Sequence, residues 1–284
     1  MHYPIINEVI FSIGPLSVRW YGMAYLVAFL LAWWLGNWRA EHKAADWSRQ
    51  EVSDLIFYGA LGAVLGGRLG YVLVYNFSRF LEDPIWLFKV WDGGMSFHGG
   101  LTGVLLVLWW FARHTRRHFL EVGDFVAPLI PLGLGFGRLG NFANTELPGR
   151  ITDSFFGVYY PCSAPAIQAI DPLCTGTWEA FMRHPSPLYQ AFTEGLLLFL
   201  LVWFYASRPR PLGAVSGMFL TGYGCFRFVT EFFRQPDEQL GFIAFHWMSM
   251  GQLLSLPMVA IGLYLLLRKP SRSKVQPAAT EARR

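Results

Sequence analysis

The sequence predicts an all-α integral membrane protein: seven transmembrane helices with a small cap on the outer face, the N-terminus outside and the C-terminus inside. Three observations carry this. Of 284 residues, 54% are hydrophobic and only 15% charged, with a mean hydropathy of +0.34, which lies outside the usual range for soluble domains. Apolar stretches of about 20 residues recur along the chain, the length a helix needs to cross hydrocarbon. A buried soluble core would not explain several of that length. The basic residues alternate in density from one inter-span loop to the next, which sets an orientation.

The spans fall at about 18–38, 54–75, 95–112, 120–141, 188–206, 213–231 and 249–267. The loops after spans one, three and five hold Arg39, Lys43 and Arg49; Arg113, Arg116 and Arg117; and Arg208 and Arg210. The C-terminal tail adds Arg268, Lys269, Arg272, Lys274, Arg283 and Arg284, whereas the opposite side holds only Arg79, Lys89, Arg150, Arg183 and Arg234. The positive-inside rule therefore places the tail in the cytoplasm. The domain organisation expected is one seven-helix unit over 1–267, with 142–187 as its head segment and 268–284 as a basic tail of disorder-type composition. The 12 tryptophans suit interfacial anchoring. The first basic residue is Arg19, so no positive n-region precedes span one and no signal peptide is expected.

Taken in order, the spans differ in what they carry. Arg19 opens span one and reads as a snorkelling cation, two residues before Tyr21. Span two has Gly62, Gly66 and Gly70 four apart, a close-packing stripe, with Arg68 among them. The aromatic-rich segment 76–94 reads as an interfacial helix. Span three opens M-S-F-H-G-G-L-T-G. There His98 has two readings, a satisfied structural histidine or a neutral imidazole base. Span four leads into L-G-L-G-F-G-R-L-G-N-F-A-N-T-E-L-P-G-R at 132–150, where Arg138, Asn141, Asn144, Glu146 and Gly149 crowd the end of an apolar run.

The outer loop 142–187 holds Cys162 and Cys174, on the oxidising side in this topology, where they stand either free or disulfide-bonded. Cys225, inside span six, reads as a small buried residue. Three cysteines with no Cys-x-x-Cys pair and no clustered histidines give no metal-site pattern. In span six Tyr223, Arg227, Glu231 and Arg234 share one helical face, a polar stripe that should look into the bundle.

Arg19, Arg68, Arg138 and Arg227 all fall towards the outer ends of their spans. Four arginines at one depth suggest an anion site opening to the outer leaflet. For Arg68, structural pairing with Glu194, Glu231 or Asp124 stands beside that reading. Arg138 and Arg227 together would form a phosphate clamp, since a guanidinium fork matches phosphate oxygens in pairs.

Three motifs tie these residues to a family. The chain resembles the bacterial prolipoprotein diacylglyceryl transferases in H-G-G-L-x-G at 98–103, G-R-x-G-N-F-x-N-x-E-x-x-G at 137–149 and R-F-x-x-E-x-x-R-x-P-D at 227–237. H-P-S-P-L-Y-Q-A at 184–191 is similar to a fourth family segment, with Gln190 where glutamate is common. The resemblance implies transfer of the diacylglyceryl group of phosphatidylglycerol to the lipobox cysteine of a prolipoprotein, with release of glycerol 1-phosphate. It implies an inner-membrane enzyme whose site faces the periplasmic leaflet, whose cap is periplasmic, and whose partners are phosphatidylglycerol, prolipoprotein signal peptides and membrane lipids, with no nucleic acid and no cofactor. On this reading His98, Arg138 and Arg227 are catalytic, while Tyr21, Asn141, Glu146, Gly149, Tyr223, Glu231 and Arg234 bind the lipid head group. A transporter or channel for an organic anion would use the same arginines, although no internal repeat of the kind transporters show is evident. An intramembrane protease lacks support, since there is no G-x-S-x-G or H-E-x-x-H element.

Overall fold

A computed structural model describes residues 1–7, 9–14, 16–44, 46–89, 93–236 and 241–268. The chain is mainly helical, and each of the seven expected spans is helix. These are α1 (Trp20–His42), α2 (Arg49–Tyr75), α4 (Phe97–His114), the pair α5 (Phe119–Val126) and α6 (Ile130–Ala143), a continuous helical run Ser186–Tyr205, α10 (Ala214–Thr230) and α11 (Met250–Leu267). Segment 76–94 forms α3 (Phe77–Glu82) and a 3₁₀ turn Pro84–Phe88. The head segment includes α7 (Pro165–Ile170). The Ser186–Tyr205 run comprises α8 (Ser186–Gln190), a π-helical turn Ala191–Leu197 and α9 (Leu198–Tyr205).

Among the described residues, Arg49–Tyr75, Ser186–Tyr205 and Met250–Leu267 are long and apolar enough to cross a membrane, and the bent α5–α6 pair makes up to four. Large apolar side chains lie exposed along the helices, among them Leu65, Leu106, Trp109, Leu254 and Tyr264. Water would not tolerate so continuous an apolar exterior, and hydrocarbon does. Most of the expected basic tail, 269–284, lies outside the described residues, as does Asp237 of the third motif.

Two features depart from a plain seven-helix expectation. First, the fold is not wholly α: β1 (Val9–Ile13) and β2 (Leu16–Arg19) form an antiparallel hairpin before α1. V-I-F-S-I and L-S-V-R are rich in β-branched and aromatic residues, and Gly14 supplies a turn at φ +60°. Second, span four is broken, with α5 and α6 inclined by 53°. Pro128 and Pro131 remove two backbone donors there.

Asp124, late in α5, accepts hydrogen bonds from the Gly213 and Ser216 backbone N–H groups at 2.6 and 2.8 Å and from Ser216 Oγ at 2.7 Å. It thereby caps the N-terminus of α10, where a carboxylate is favoured.

Small residues set the interhelical spacing. A Cβ on Gly66 would lie 2.4 Å from the Gly99 carbonyl oxygen, and one on Gly103 2.1 Å from that of Gly62. The stripe on α2 therefore packs backbone against the H-G-G face of α4, as the spacing predicted. At the basic-loop end a core of Trp47, Val52, Leu55, Phe111, Val122 and Phe125 closes the bundle. Trp47 stacks on Phe125 at 3.9 Å, and Arg117 lies over it while pairing with Asp46, Glu51 and Glu121.

Candidate active site

Where α6, the Ser186–Tyr205 helix and α10 meet, Arg138, Tyr223 and Arg227 converge around a residue outside the expected set, Glu194, and Glu231 with Arg234 adjoins them through Arg227. This carboxylate is fully buried on the π-helical turn, a local widening of the helix that recurs at functional sites. The approach that lets it meet Arg138 is a glycine contact: a Cβ on Gly195 would stand 2.7 Å from Gly135 Cα on α6. Glu194 Oε2 lies 3.7 Å from Arg138 Nη2, and its Oε1 lies 3.7 Å from Arg227 Nη1. Thr230 Oγ1 donates to Oε1 at 3.0 Å. These ion pairs are longer than hydrogen bonds, and both Glu194 Oε2 and Arg227 Nη1 are buried without a hydrogen-bond partner.

Glu231 is the opposite case. Its Oε1 takes Arg227 Nη2 in close contact and Arg234 Nη1 at 3.1 Å, while Oε2 accepts from Ser249 Oγ at 2.8 Å. The i,i+4 and i,i+3 spacings expected along α10 are thus used, and Glu231 fixes both arginines from one side. Tyr223 is in hydrogen-bonding contact with Arg138.

A second polar group borders the first. Asn141 and Asn144 donate to the two oxygens of Glu146 at 2.6 and 3.2 Å, across a turn in which Thr145 and Leu147 take positive φ. Tyr21 packs against Gly140 and lies in electrostatic reach of Glu146 and Arg138, its hydroxyl 3.0 Å from that of Tyr25.

Gly149 serves a chain crossing. It bridges to Arg234, its N–H donates to the His184 carbonyl at 2.9 Å, and a Cβ there would meet the His184 and Phe233 carbonyl oxygens at 2.4 and 2.6 Å. The positive-φ residues of this stretch are Thr145 and Leu147.

Three expected members stand elsewhere. His98 is exposed on α4, where it borders the groove between α2 and α4 lined by Gly66, Leu69, Gly70 and Thr102. Arg68 is buried, but among the described residues it pairs with no carboxylate. Its guanidinium donates to the carbonyls of Leu87, Gly93, Gly94, Trp86 and Lys89 and lies over the Trp86 ring at 4.6 Å. Every N–H is spent on folding the segment after α3, which removes Arg68 from the anion set. Arg19 ends β2, where it pairs in register with Val9. Among the described residues no group of three His, Cys, Asp or Glu side chains could hold a metal ion.

A family model described as prolipoprotein diacylglyceryl transferase matches residues 8–268. The chain belongs to this family. It is 54% identical to the phosphatidylglycerol–prolipoprotein diacylglyceryl transferase of Legionella pneumophila (strain Lens) over 263 residues, 93% of this chain and 97% of the relative. It is 51% identical to the proteins of the same name from Photorhabdus laumondii, over 96% of this chain and 97% of the relative, and from Vibrio cholerae, over 97% and 96%.

In this diacylglyceryl transferase family member the head segment is tied to the site through backbone as well as side chains. Tyr3 donates to the carbonyls of Phe142 and Ala143 at 2.7 and 3.1 Å, closing the end of α6 just beyond Asn141, and packs with Tyr160 and Ile167 in a small separate core. Cys162 and Cys174 are disulfide-bonded, resolving that open reading. Cys225 is exposed rather than buried, on the outward face of α10. Arg183 pairs with Glu179 at 2.8 Å and reaches the Gly149 carbonyl at 3.4 Å. Burial raises the Glu179 carboxyl despite that partner, and it lowers His184, which shares a 3.2 Å hydrogen bond with Tyr189. Sequence reasoning had raised Glu194 only as a partner for Arg68. An acidic residue inside an apolar span was itself the signal that could have marked it.

Proposed function

We propose that the protein transfers the diacylglyceryl group of phosphatidylglycerol to the cysteine thiol of a prolipoprotein lipobox, forming a thioether and releasing glycerol 1-phosphate. The observation that carries this reading is the buried cluster that holds Arg138 and Arg227 together, with Arg227 Nη1 left without a hydrogen-bond partner, in a chain whose relatives bear that activity in their names. The thiol loses its proton to a base. The sulfur then bonds to the glycerol carbon as the carbon–oxygen bond to phosphate breaks, and the phosphate oxygen keeps the electron pair. A thiolate and a monoanionic diester become a neutral thioether and a dianionic monoester. Charge therefore accumulates on the leaving phosphate, and that is where preorganised guanidinium donors lower a barrier most.

Arg138 and Arg227 bind the phosphate and stabilise the departing ester. Tyr21, Asn141, Glu146 and Tyr223 orient the glycerol head group. Glu231 holds Arg227 and Arg234 in place, and Gly149 permits the crossing that joins the head segment to the stretch just after α10. His98 is the thiol's base, acting from the α2–α4 face. A thiol of ordinary pKa, about 8.5, needs such help or a positive field to ionise near neutrality. The membrane arrangement that goes with this is a single seven-span inner-membrane domain, N-terminus out, with 142–187 as a periplasmic head, 268–284 as a cytoplasmic tail and the site towards the periplasmic leaflet. The basic loops support that orientation. The organic-anion transporter reading is not favoured, because the chain's family is one of transferases.

The test uses purified protein in detergent with phosphatidylglycerol and a lipobox peptide, following glycerol phosphate release. Release that requires the peptide cysteine is expected. Well-folded protein that binds phosphate yet releases nothing would return the transporter reading.

A further inference from the structure

Glu194 stands in an unexpected place for a site that must hold a phosphate. A carboxylate there repels the ligand, and it is fully buried between the two arginines that should attract it. Its neighbour Glu231 has a plain structural task, since all its contacts to Arg227, Arg234 and Ser249 are close. Glu194 is held differently. One oxygen takes the Thr230 hydroxyl, both guanidinium contacts are 3.7 Å long, and Oε2 accepts no hydrogen bond. Such a group grips the arginines weakly while still lowering the positive potential between them, because Coulomb terms fall off slowly with distance in a poorly hydrated site.

The net charge suggests what this achieves. Arg138, Arg227 and Arg234 with Glu194 and Glu231 carry a formal +1, and counting the adjacent Arg150 and Glu146 leaves that value unchanged. A phosphodiester is a monoanion. A phosphomonoester, with a second pKa of about 6, approaches a dianion at neutral pH. The site's charge therefore matches the reactant rather than the product of the transfer proposed above, on which this inference rests.

We infer that Glu194 is a specificity-determining counter-ion. It tunes the Arg138–Arg227 pair to monoanionic phosphodiesters and against dianionic phosphomonoesters, so that the released ester leaves. Directional bonds come from the guanidinium forks, and the net charge comes from Glu194. Specificity of this kind arises from disfavouring the wrong ligand as much as from attracting the right one.

The experiment compares full-length wild type with Glu194→Gln, which keeps the shape and an acceptor for Thr230 but removes the charge. Inhibition of transfer by glycerol 1-phosphate should tighten by about tenfold or more in the variant, and the difference should shrink as salt is raised. Turnover should fall while KM for phosphatidylglycerol stays level or falls, a split that simple loss of structure would not produce. Unchanged or weaker inhibition in a variant that melts like wild type overturns the inference. If the variant does not fold, wild type alone decides the matter. Its soluble diester head group, glycerophosphoglycerol, should compete at least as well as glycerol 1-phosphate at pH 8, and a clear preference for the monoester overturns the assignment. If wild type shows no cysteine-dependent release, the transfer reading fails. Calorimetry with inorganic phosphate on the two proteins then still decides for or against Glu194, since tighter binding to Glu194→Gln is required.

Discussion

Arg68 and Arg227 begin alike, each an arginine late in an apolar helix that also carries glycines. The structure gives them opposite fates. Arg68 donates to five backbone carbonyls and stacks on Trp86, so no N–H remains for a ligand. Arg227 is anchored through one nitrogen to Glu231, while its other terminal nitrogen faces Glu194 at 3.7 Å with no hydrogen bond. A cation at membrane depth must be compensated in either case. Full compensation by carbonyls makes a structural post, whereas partial compensation by carboxylates leaves donors that a phosphate can complete. The depth of an arginine in the membrane says nothing about which it is; the state of its N–H groups does.

That contrast can be broken by substitution. The largest effect expected is on Arg227→Ala, which should lower cysteine-dependent glycerol phosphate release by about 10³-fold, the scale of losing a preorganised donor to developing charge. Arg138→Lys, which keeps the charge and loses the fork, should cost about 10²-fold, and near-normal activity would sink the paired-donor role. Arg68→Ala should behave in the opposite way. It strips partners from five carbonyls and should lower stability by about 3 kcal/mol in a denaturation assay, while the folded fraction keeps its activity. Loss of activity without loss of stability there would undo the distinction between the two arginines.

Removing the disulfide with Cys162→Ser should cost about 2–3 kcal/mol, since the cross-link closes a loop of little more than a dozen residues. That effect too should appear in melting and not in turnover, because the hydrogen bonds around the disulfide run to Thr177 and Gln168 and not to the arginine cluster.

The smallest effect concerns pH. Burial lowers His184, so the unfolded chain binds its proton more readily than the folded one. The His184 contribution is complete above the ordinary histidine pKa, about 6.5, and is lost as pH falls through it towards the folded value. Wild type should therefore lose more melting temperature between pH 7.5 and 5 than His184→Asn does. Equal losses would show that His184 does not report on head-segment packing.

Several of these features could be read from residues alone. The helical stretches, the Gly62–Gly66–Gly70 packing face and the α10 stripe follow from periodicity and spacing, which are local properties of a helix. The hairpin before α1 was missed because apolar and β-branched residues next to a long hydrophobic run read equally well as its continuation. The break after α5 was missed because proline is tolerated within membrane helices, so Pro128 and Pro131 did not by themselves announce a bend. Cys225 was misread because a small residue on a helix of unknown rotation has no assigned face. Arg68 was misassigned because its partners are backbone carbonyls of the segment after α3, and carbonyls have no sequence signature.

By itself the sequence determined that the chain is a bundle of apolar helices, which helices approach closely, and that arginines are committed within it. Those are consequences of hydrophobic length, small-residue spacing and the cost of a buried charge, each acting within one segment. Only the tertiary structure decided which arginines share a site, that Glu194 lies between them, and that Gly149 is the point where the head segment meets the stretch just after α10. Those depend on contacts between residues tens of positions apart, governed by the π-helical turn and by helix approaches so close that a Cβ on the glycines would fall within 3 Å of the facing backbone. Hydrogen-bond saturation, which separates a structural arginine from a ligand-ready one, is a property of the assembled neighbourhood.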